Sequence, residues 1–258
     1  MFICKASGCW PTRWISCGRT SRAPARCTSG WRVCPEAMAD RASGLGFVPL
    51  AIGSGLLLDL DGIQIGAWAE EPLPLPAGMT AYGMVTAGQA RLSDAETGLF
   101  ALRAGMFFVV PDGGEISGGG GLVITLPGYR GLRQIGGPLE AAGRLRYIDG
   151  CSDTLLVCPP RLGEPCLNHL HIPPHTDQTP HTHPSVRVGV ILRGSGECRT
   201  PDGVYPLRPG MGWYIPTGCL HSFFTEDDAL DVIAWHPDSD FGPRDDDHPM
   251  INRTLIPR

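Results

Sequence analysis

The chain has 258 residues, 42% of them hydrophobic and 18% charged, with 35 glycines and 25 prolines. This length can bury one large or two small cores, and a Gly and Pro content roughly double the usual share excludes coiled coils and helical bundles. The net charge of −5 conceals a basic start and an acidic body without a nucleic-acid footprint, and no apolar run approaches the roughly 20 residues of a membrane helix.

The basic start comes first. Residues 1–37 carry Lys5, Arg13, Arg19, Arg22, Arg26 and Arg32 against Glu36 alone, together with Cys4, Cys9, Cys17, Cys27 and Cys34. They show neither alternation nor a helical period, and no continuous apolar stretch of a secretory signal. Residues 1–40 read as an irregular segment: disordered, a transit-like leader, or sequence upstream of a true start at Met38.

From residue 41 onward an internal repeat organises the chain. Leu102–Gly113 aligns with Leu207–Gly218 at an offset of 105, sharing Leu, Arg, Gly, Met, Pro and Gly at six of twelve positions. Tyr82–Gly88 aligns with Val188–Gly194 at an offset of 106. Two copies follow, 41–144 and 145–258, the second closing in an acidic tail. The first copy predicts strands at Leu56–Ile65, Met106–Pro111 and Leu122–Leu126. The second predicts them at Thr154–Cys158, Val186–Leu192, Gly212–Pro216 and Leu230–Trp235; all are short, apolar and often β-branched. Turn sequences such as Pro111-Asp-Gly, Pro201-Asp-Gly and Pro216-Thr-Gly separate them. No stretch supports a helix of three turns, so the expected fold is all-β, with two barrels or sandwiches in tandem. The later cysteines (Cys151, Cys158, Cys166, Cys198, Cys219) include no CxxC pair, which argues for reduced thiols in a cytoplasmic protein rather than a zinc site or a disulfide framework.

All eight histidines lie beyond residue 168, so metal chemistry is expected in the second copy. His181-Thr-His183 carries the strongest signal. On a strand, alternate side chains share a face about 7 Å apart, so both imidazoles can turn toward one ion. A third ligand must come from a neighbouring strand, and His221, just past the Pro216-Thr-Gly218 turn, is the candidate. Three neutral imidazoles suit one divalent transition metal (Fe, Mn, Ni, Zn or Cu) and leave coordination positions open. Through the repeat offsets Leu75, Ala77 and Ile116 occupy the positions of these histidines in the first copy, which therefore reads as a structural barrel.

Around this trio, Arg187 is either a structural ion-pairing residue or a cation that grips the carboxylate of an anionic substrate. His169 and His171 alternate on Leu167–Ile172, where the first copy has Ile63 and Ile65. They read either as pocket-face residues, acting as acid/base groups or substrate contacts, or, after a one-residue slip in register, as outward-facing strand residues. Trp213 and Phe223 read equally as pocket wall or as barrel core.

These residues resemble the cupin superfamily, whose motifs are G-x5-H-x-H-x3,4-E-x6-G and G-x5-P-x-G-x2-H-x3-N. The first corresponds to His181, His183, Arg187 and Gly194, with His175 in place of the leading Gly. The second corresponds to Gly210, Pro216, Gly218, His221 and Thr225, with Thr225 in place of Asn. The resemblance implies two tandem double-stranded β-helix (jelly-roll) barrels, the first degenerate and the second metal-binding. Arg187 stands where many cupins place a metal-binding Glu and cannot ligate a cation. The ligand set is thus three histidines, more similar to iron dioxygenase cupins than to oxalate-type manganese cupins. The resemblance implies an Fe(II) dioxygenase-type enzyme acting on a small anionic molecule. An isomerase, lyase or cyclase on the same site, and a non-catalytic small-molecule binder, stand as alternatives. No nucleic acid or membrane partner is expected, and the resemblance allows a homodimer.

Overall fold

The computed structural model describes residues 46–257 apart from 61, 70 and 95; the expectation of an irregular segment at 1–40 lies outside the described residues. The described chain is built from strands, with two 3-10 turns at Ile148–Gly150 and Ile251–Arg253. After β1 (Val48–Ala51), the first half contains β2 (Gly55–Leu60), β3 (Ile63–Trp68), β4 (Leu73–Leu75), β5 (Met79–Ala87) and β6 (Gln89–Asp94). It continues with β7 (Gly98–Arg103), β8 (Phe107–Pro111), β9 (Gly114–Ser117), β10 (Gly120–Pro127) and β11 (Gln134–Gly136). The second half contains β12 (Leu145–Arg146), β13 (Ser152–Val157), β14 (Cys166–Ile172), β15 (Arg187–Gly194) and β16 (Gly196–Thr200). Its last strands are β17 (Gly203–Leu207), β18 (Met211–Ile215), β19 (Ser222–Phe224) and β20 (Leu230–His236).

Each half pairs a large sheet with a small one, and the two halves have the same strand order. The large sheet of the first half runs β11-β8-β5-β10-β3-β2, and that of the second runs β1-β18-β15-β20-β14-β13-β12. The small sheets are β4-β9-β6-β7 and β17-β16-β19. In the second half the small sheet is extended by isolated bridges from Asp177 to Phe224 and from His181 to His221. This is the all-β, two-barrel architecture expected from the repeat. One strand crosses between the halves: β1 pairs antiparallel with β18, in the place that β11 takes beside β8.

Strand alternation sends side chains to two different cores. Val188, Val190, Tyr214, Leu167, Ile233 and Trp235 leave the second large sheet on one face and pack against Ile65, Tyr82, Met84, Leu122 and Ile124 of the first. Tyr82 and Trp235 meet there with ring centroids 5.8 Å apart. The opposite face sends Ile172, Ile191, Trp213, Ile215 and Val232 inward to meet Cys198 and Phe223 inside the second barrel. Both faces of the large sheets are therefore buried, and each fully buried aliphatic or aromatic side chain contributes about 1.5–3 kcal/mol.

Two local expectations are corrected. Leu56–Ile65 is a hairpin, not one strand: β2 and β3 pair antiparallel across a turn at Gly62. In the first half Leu73, not Leu75, lies opposite Ile116, so the two halves differ in register here. Leu73, Leu75 and Ile116 are all buried, forming an apolar counterpart of the histidine trio.

Candidate metal centre

The centre is assembled from two extended segments joined side by side. The amide of His181 donates to the carbonyl of His221 at 2.9 Å and the amide of His221 donates back at 3.0 Å. The amide of Gly218 donates to the carbonyl of His183 at 2.9 Å. The Pro216–Cys219 turn closes through Cys219 N–H to the Pro216 carbonyl at 3.2 Å. Gly218 adopts φ +71° there, a conformation costly for residues with a Cβ. His181 and His183 lie just outside the regular ladder, with one bridge in place of the expected strand, yet the chain is extended enough for both rings to converge.

The imidazole centroids are 5.0 Å apart for His181 and His183, 4.6 Å for His181 and His221, and 5.1 Å for His183 and His221. One nitrogen from each ring lies within 4.8 Å of the other two. Two of the rings are oriented from behind. His181 Nδ1 faces the Thr179 carbonyl at 2.9 Å and His221 Nδ1 faces that of Cys219 at 2.9 Å. A nitrogen bonded to a carbonyl must carry the proton, which leaves each Nε2 lone pair free for an ion. Burial, with Arg187 and the neighbouring imidazoles adding repulsion, pushes His183 down to about 3. Burial also pushes His221 down to about 4, against the opposing pull of its hydrogen bond to Cys219. Both rings are therefore neutral at physiological pH, the form that ligates. The donor set fits a borderline transition metal and leaves coordination positions open.

A cavity of about 320 Å³ opens on the trio. Leu170, Trp213, Ile215, Phe223 and Ala234 form its apolar walls, and Asp153, Asn168, Gln178, Arg187 and His236 are among its polar lining. Trp213 and Phe223 lie 6.0 Å apart between centroids. Gln178 braces one side: its backbone N–H donates to the Phe223 carbonyl at 3.0 Å and its Oε1 accepts from the Phe223 backbone N–H at 3.2 Å. Arg187, the first residue of β15, makes its hydrogen bonds through Nη1, to Ser185 Oγ at 2.5 Å and to the Ser185 and Val186 carbonyls at 3.2 and 3.0 Å. Asp238 lies 3.9 Å from the same nitrogen. Nε and Nη2 make no hydrogen bond to the described residues.

His169 and His171 are not in this cavity, and the expectation that they face it is corrected. They leave β14 on the face opposite Asn168 and Leu170. His169 Nε2 and His171 Nδ1 both bond Asp231 Oδ1, at 2.8 and 2.9 Å, and Arg193 Nε donates to Asp231 Oδ2 at 2.9 Å. In the first half Ile63 and Ile65 are buried in the layer between the halves, so their apolar character marks that layer and not a barrel interior. Sequence reasoning missed Asp153, Asn168 and His236. The parity of β14 carries the signal for Asn168, since Leu167 packs between the halves and its neighbour must face inward. His236 donates from Nδ1 to the Asp238 carbonyl, and its Nε2 lies 2.8 Å from Cys166 Sγ.

Residues 168–236, from within β14 to the end of β20, match the family model Cupin_2, the cupin domain. The fold is similar to that of a Cupin 2 conserved barrel domain protein from Leptotrichia buccalis, at 14% identity and TM-score 0.54 over 74% of this chain and 88% of that one. It is similar to AerE from Microcystis aeruginosa, at 16% identity and TM-score 0.54 over 74% and 97%. A salicylate 1,2-dioxygenase variant from Pseudoaminobacter salicylatoxidans in complex with gentisate matches at 11% identity and TM-score 0.52 over 68% of each chain. No curated protein sequence matches the chain. Residues 168–236 thus form a cupin domain that carries a three-histidine group able to hold a metal ion, and the described chain has the cupin-barrel fold.

Proposed function

We propose that the protein is a mononuclear metal-dependent enzyme of the dioxygenase type, acting on a small anionic molecule. The observation that carries this reading is the convergence of His181, His183 and His221, with ligand atoms within 4.8 Å of one another, on a cavity that Arg187 also lines. Ferrous iron held by the three imidazoles would supply Lewis acidity and one-electron chemistry. The chain's own residues do the rest. Arg187 binds and orients a carboxylate through the nitrogens its backbone contacts leave over. Trp213 and Phe223 offer flat walls to an aromatic or other planar group and keep water out. The salicylate dioxygenase among the fold neighbours acts on an aromatic carboxylate, which suits these walls. Cys151, Cys158, Cys166, Cys198 and Cys219 are all free thiols, which supports a reducing, cytoplasmic setting.

The test is metal analysis of the purified protein beside a His181→Ala/His183→Ala variant. The wild type is expected to carry about one transition metal per chain, and the variant only traces. Equal trace metal in both overturns the reading. Oxygen uptake after anaerobic Fe(II) reconstitution, with aromatic and dicarbonyl acids as substrates, then separates a dioxygenase from an isomerase or lyase on the same site.

A further inference from the structure

Opposite Arg187 in character, the same cavity holds one carboxylate among its described lining residues, Asp153 on β13. Asn168 Nδ2 donates to Asp153 Oδ2 at 2.9 Å. That bond fixes the amide's orientation, because an ionised carboxylate accepts only from the NH2 end. No Arg or Lys pairs with Asp153 among the described residues, its Oδ1 has no hydrogen-bond partner among them, and the residue lines the cavity. Burial pushes the Asp153 carboxyl above its ordinary value, against the opposing Asn168 bond and the nearby His169. A carboxylate in this position is largely removed from water and has one acceptor atom to offer.

We propose that Asp153, held in place by Asn168, is a specificity-determining residue that reads a hydroxyl or amino hydrogen on the substrate and rejects a second anionic group. The proposal rests on the reading above, in which Arg187 receives the substrate's carboxylate. The substrate class is then a monocarboxylic acid with a hydrogen-bond donor elsewhere on a planar frame, the frame lying against the wall that Trp213 and Phe223 form. A ligand without the donor leaves the Asp153 oxygen desolvated and unpaired. A dicarboxylate brings two like charges together in a partly buried site. Both are penalised for the same physical reason: a carboxylate needs a donor when water is removed.

The experiment is calorimetric titration of the as-purified, metal-loaded protein under argon with benzoate, the three monohydroxybenzoates and phthalate. At least one hydroxybenzoate is expected to bind about tenfold more tightly than benzoate, the scale of a hydrogen bond to a charged group, and phthalate more weakly than benzoate. In Asp153→Asn the preference for the hydroxybenzoate falls to about threefold or less, and phthalate gains affinity. Asp153→Ser serves as a second variant, and metal content with melting temperature shows that both are folded. Benzoate binding that depends on Arg187 but shows no preference among the hydroxybenzoates, or a preference that survives in both Asp153 variants, overturns the proposal and leaves the anion reading intact. If benzoate does not bind at all, or binds Arg187→Met equally well, the anion reading fails and the subsite fails with it.

Discussion

Asp231 illustrates how one charge is kept between two barrels. It is buried, yet its two oxygens receive His169, His171 and Arg193, and Arg193 Nη2 also donates to the Glu140 carbonyl at 2.7 Å on the segment joining the halves. Burial alone would raise its pKa, but the histidine hydrogen bonds and the Arg193 charge outweigh it and hold the carboxyl below 3.8. The folded state thus binds this proton less readily than the unfolded chain. The resulting stability is fully present above the unfolded value and is lost as pH falls through the lower folded one. Asp231→Asn should cost on the order of 3 kcal/mol at pH 7, because it strands hydrogen-bonded partners in a buried site. Urea unfolding should show the gap between variant and wild type narrowing as the pH falls below the ordinary carboxylate range; a gap that stays equal on acidification would contradict the assignment. The histidines at 169 and 171 also mark where sequence reasoning stops. Their alternation is legible, but both faces of β14 are buried, so alternation alone does not tell the barrel interior from the layer between barrels.

Among the strands, the repeat preserves a packing device as well as a motif. Gly189 on β15 lies opposite Trp213 on β18, and Gly83 on β5 lies opposite Phe108 on β8. A Cβ at Gly189 would sit 2.2 Å from a Trp213 ring carbon, and one at Gly83 would sit 1.9 Å from a Phe108 ring carbon. In each barrel the aromatic ring lies across the bare backbone of its neighbour. Alanine at either position forces the ring aside, at a cost of about 1–3 kcal/mol for overpacking. The two variants should then part ways. Gly83→Ala should lower the urea midpoint alone, since Phe108 packs against Trp68 and does not line the cavity at the histidine trio. Gly189→Ala should also change the near-ultraviolet signal of Trp213 and weaken ligand binding in the cavity. A neutral midpoint for both would show that the rings have room to move. These paired strands are legible because the repeat spans them; the β2–β3 hairpin is less so. Its apolar residues continue on both sides of Asp61-Gly62, and a run of that kind resembles one long strand unless the Asp-Gly turn signal is given precedence.

At the scale of the whole molecule, the halves are joined by more than the connecting segment. β1 comes from the start of the described chain yet completes the second half's large sheet, and its Leu50 is buried in the layer between the halves. Just before it, Phe47 packs against Tyr205 and Trp213 at 4.9 and 6.4 Å between centroids, so the cavity wall leans on a residue outside its own repeat. That exchange is invisible to an alignment of the two copies, because β11, its counterpart in the first half, follows its barrel and β1 precedes both. The second half, though it contains every proposed ligand, is therefore not expected to stand alone. Separated at residue 145, it would expose Val157, Leu167, Val186, Val188, Val190, Tyr214, Ile233 and Trp235, all buried in the shared layer, and would lose the strand covering β18. At about 1.5–3 kcal/mol for each side chain, the loss matches or exceeds the roughly 5–15 kcal/mol by which a domain is stable. A fragment of residues 145–258 should accordingly show no cooperative unfolding transition and hold no metal, whereas residues 46–258 should show both. A soluble fragment that melts cooperatively with a full complement of metal would mean that the layer between the barrels is a contact between independent domains rather than a shared core.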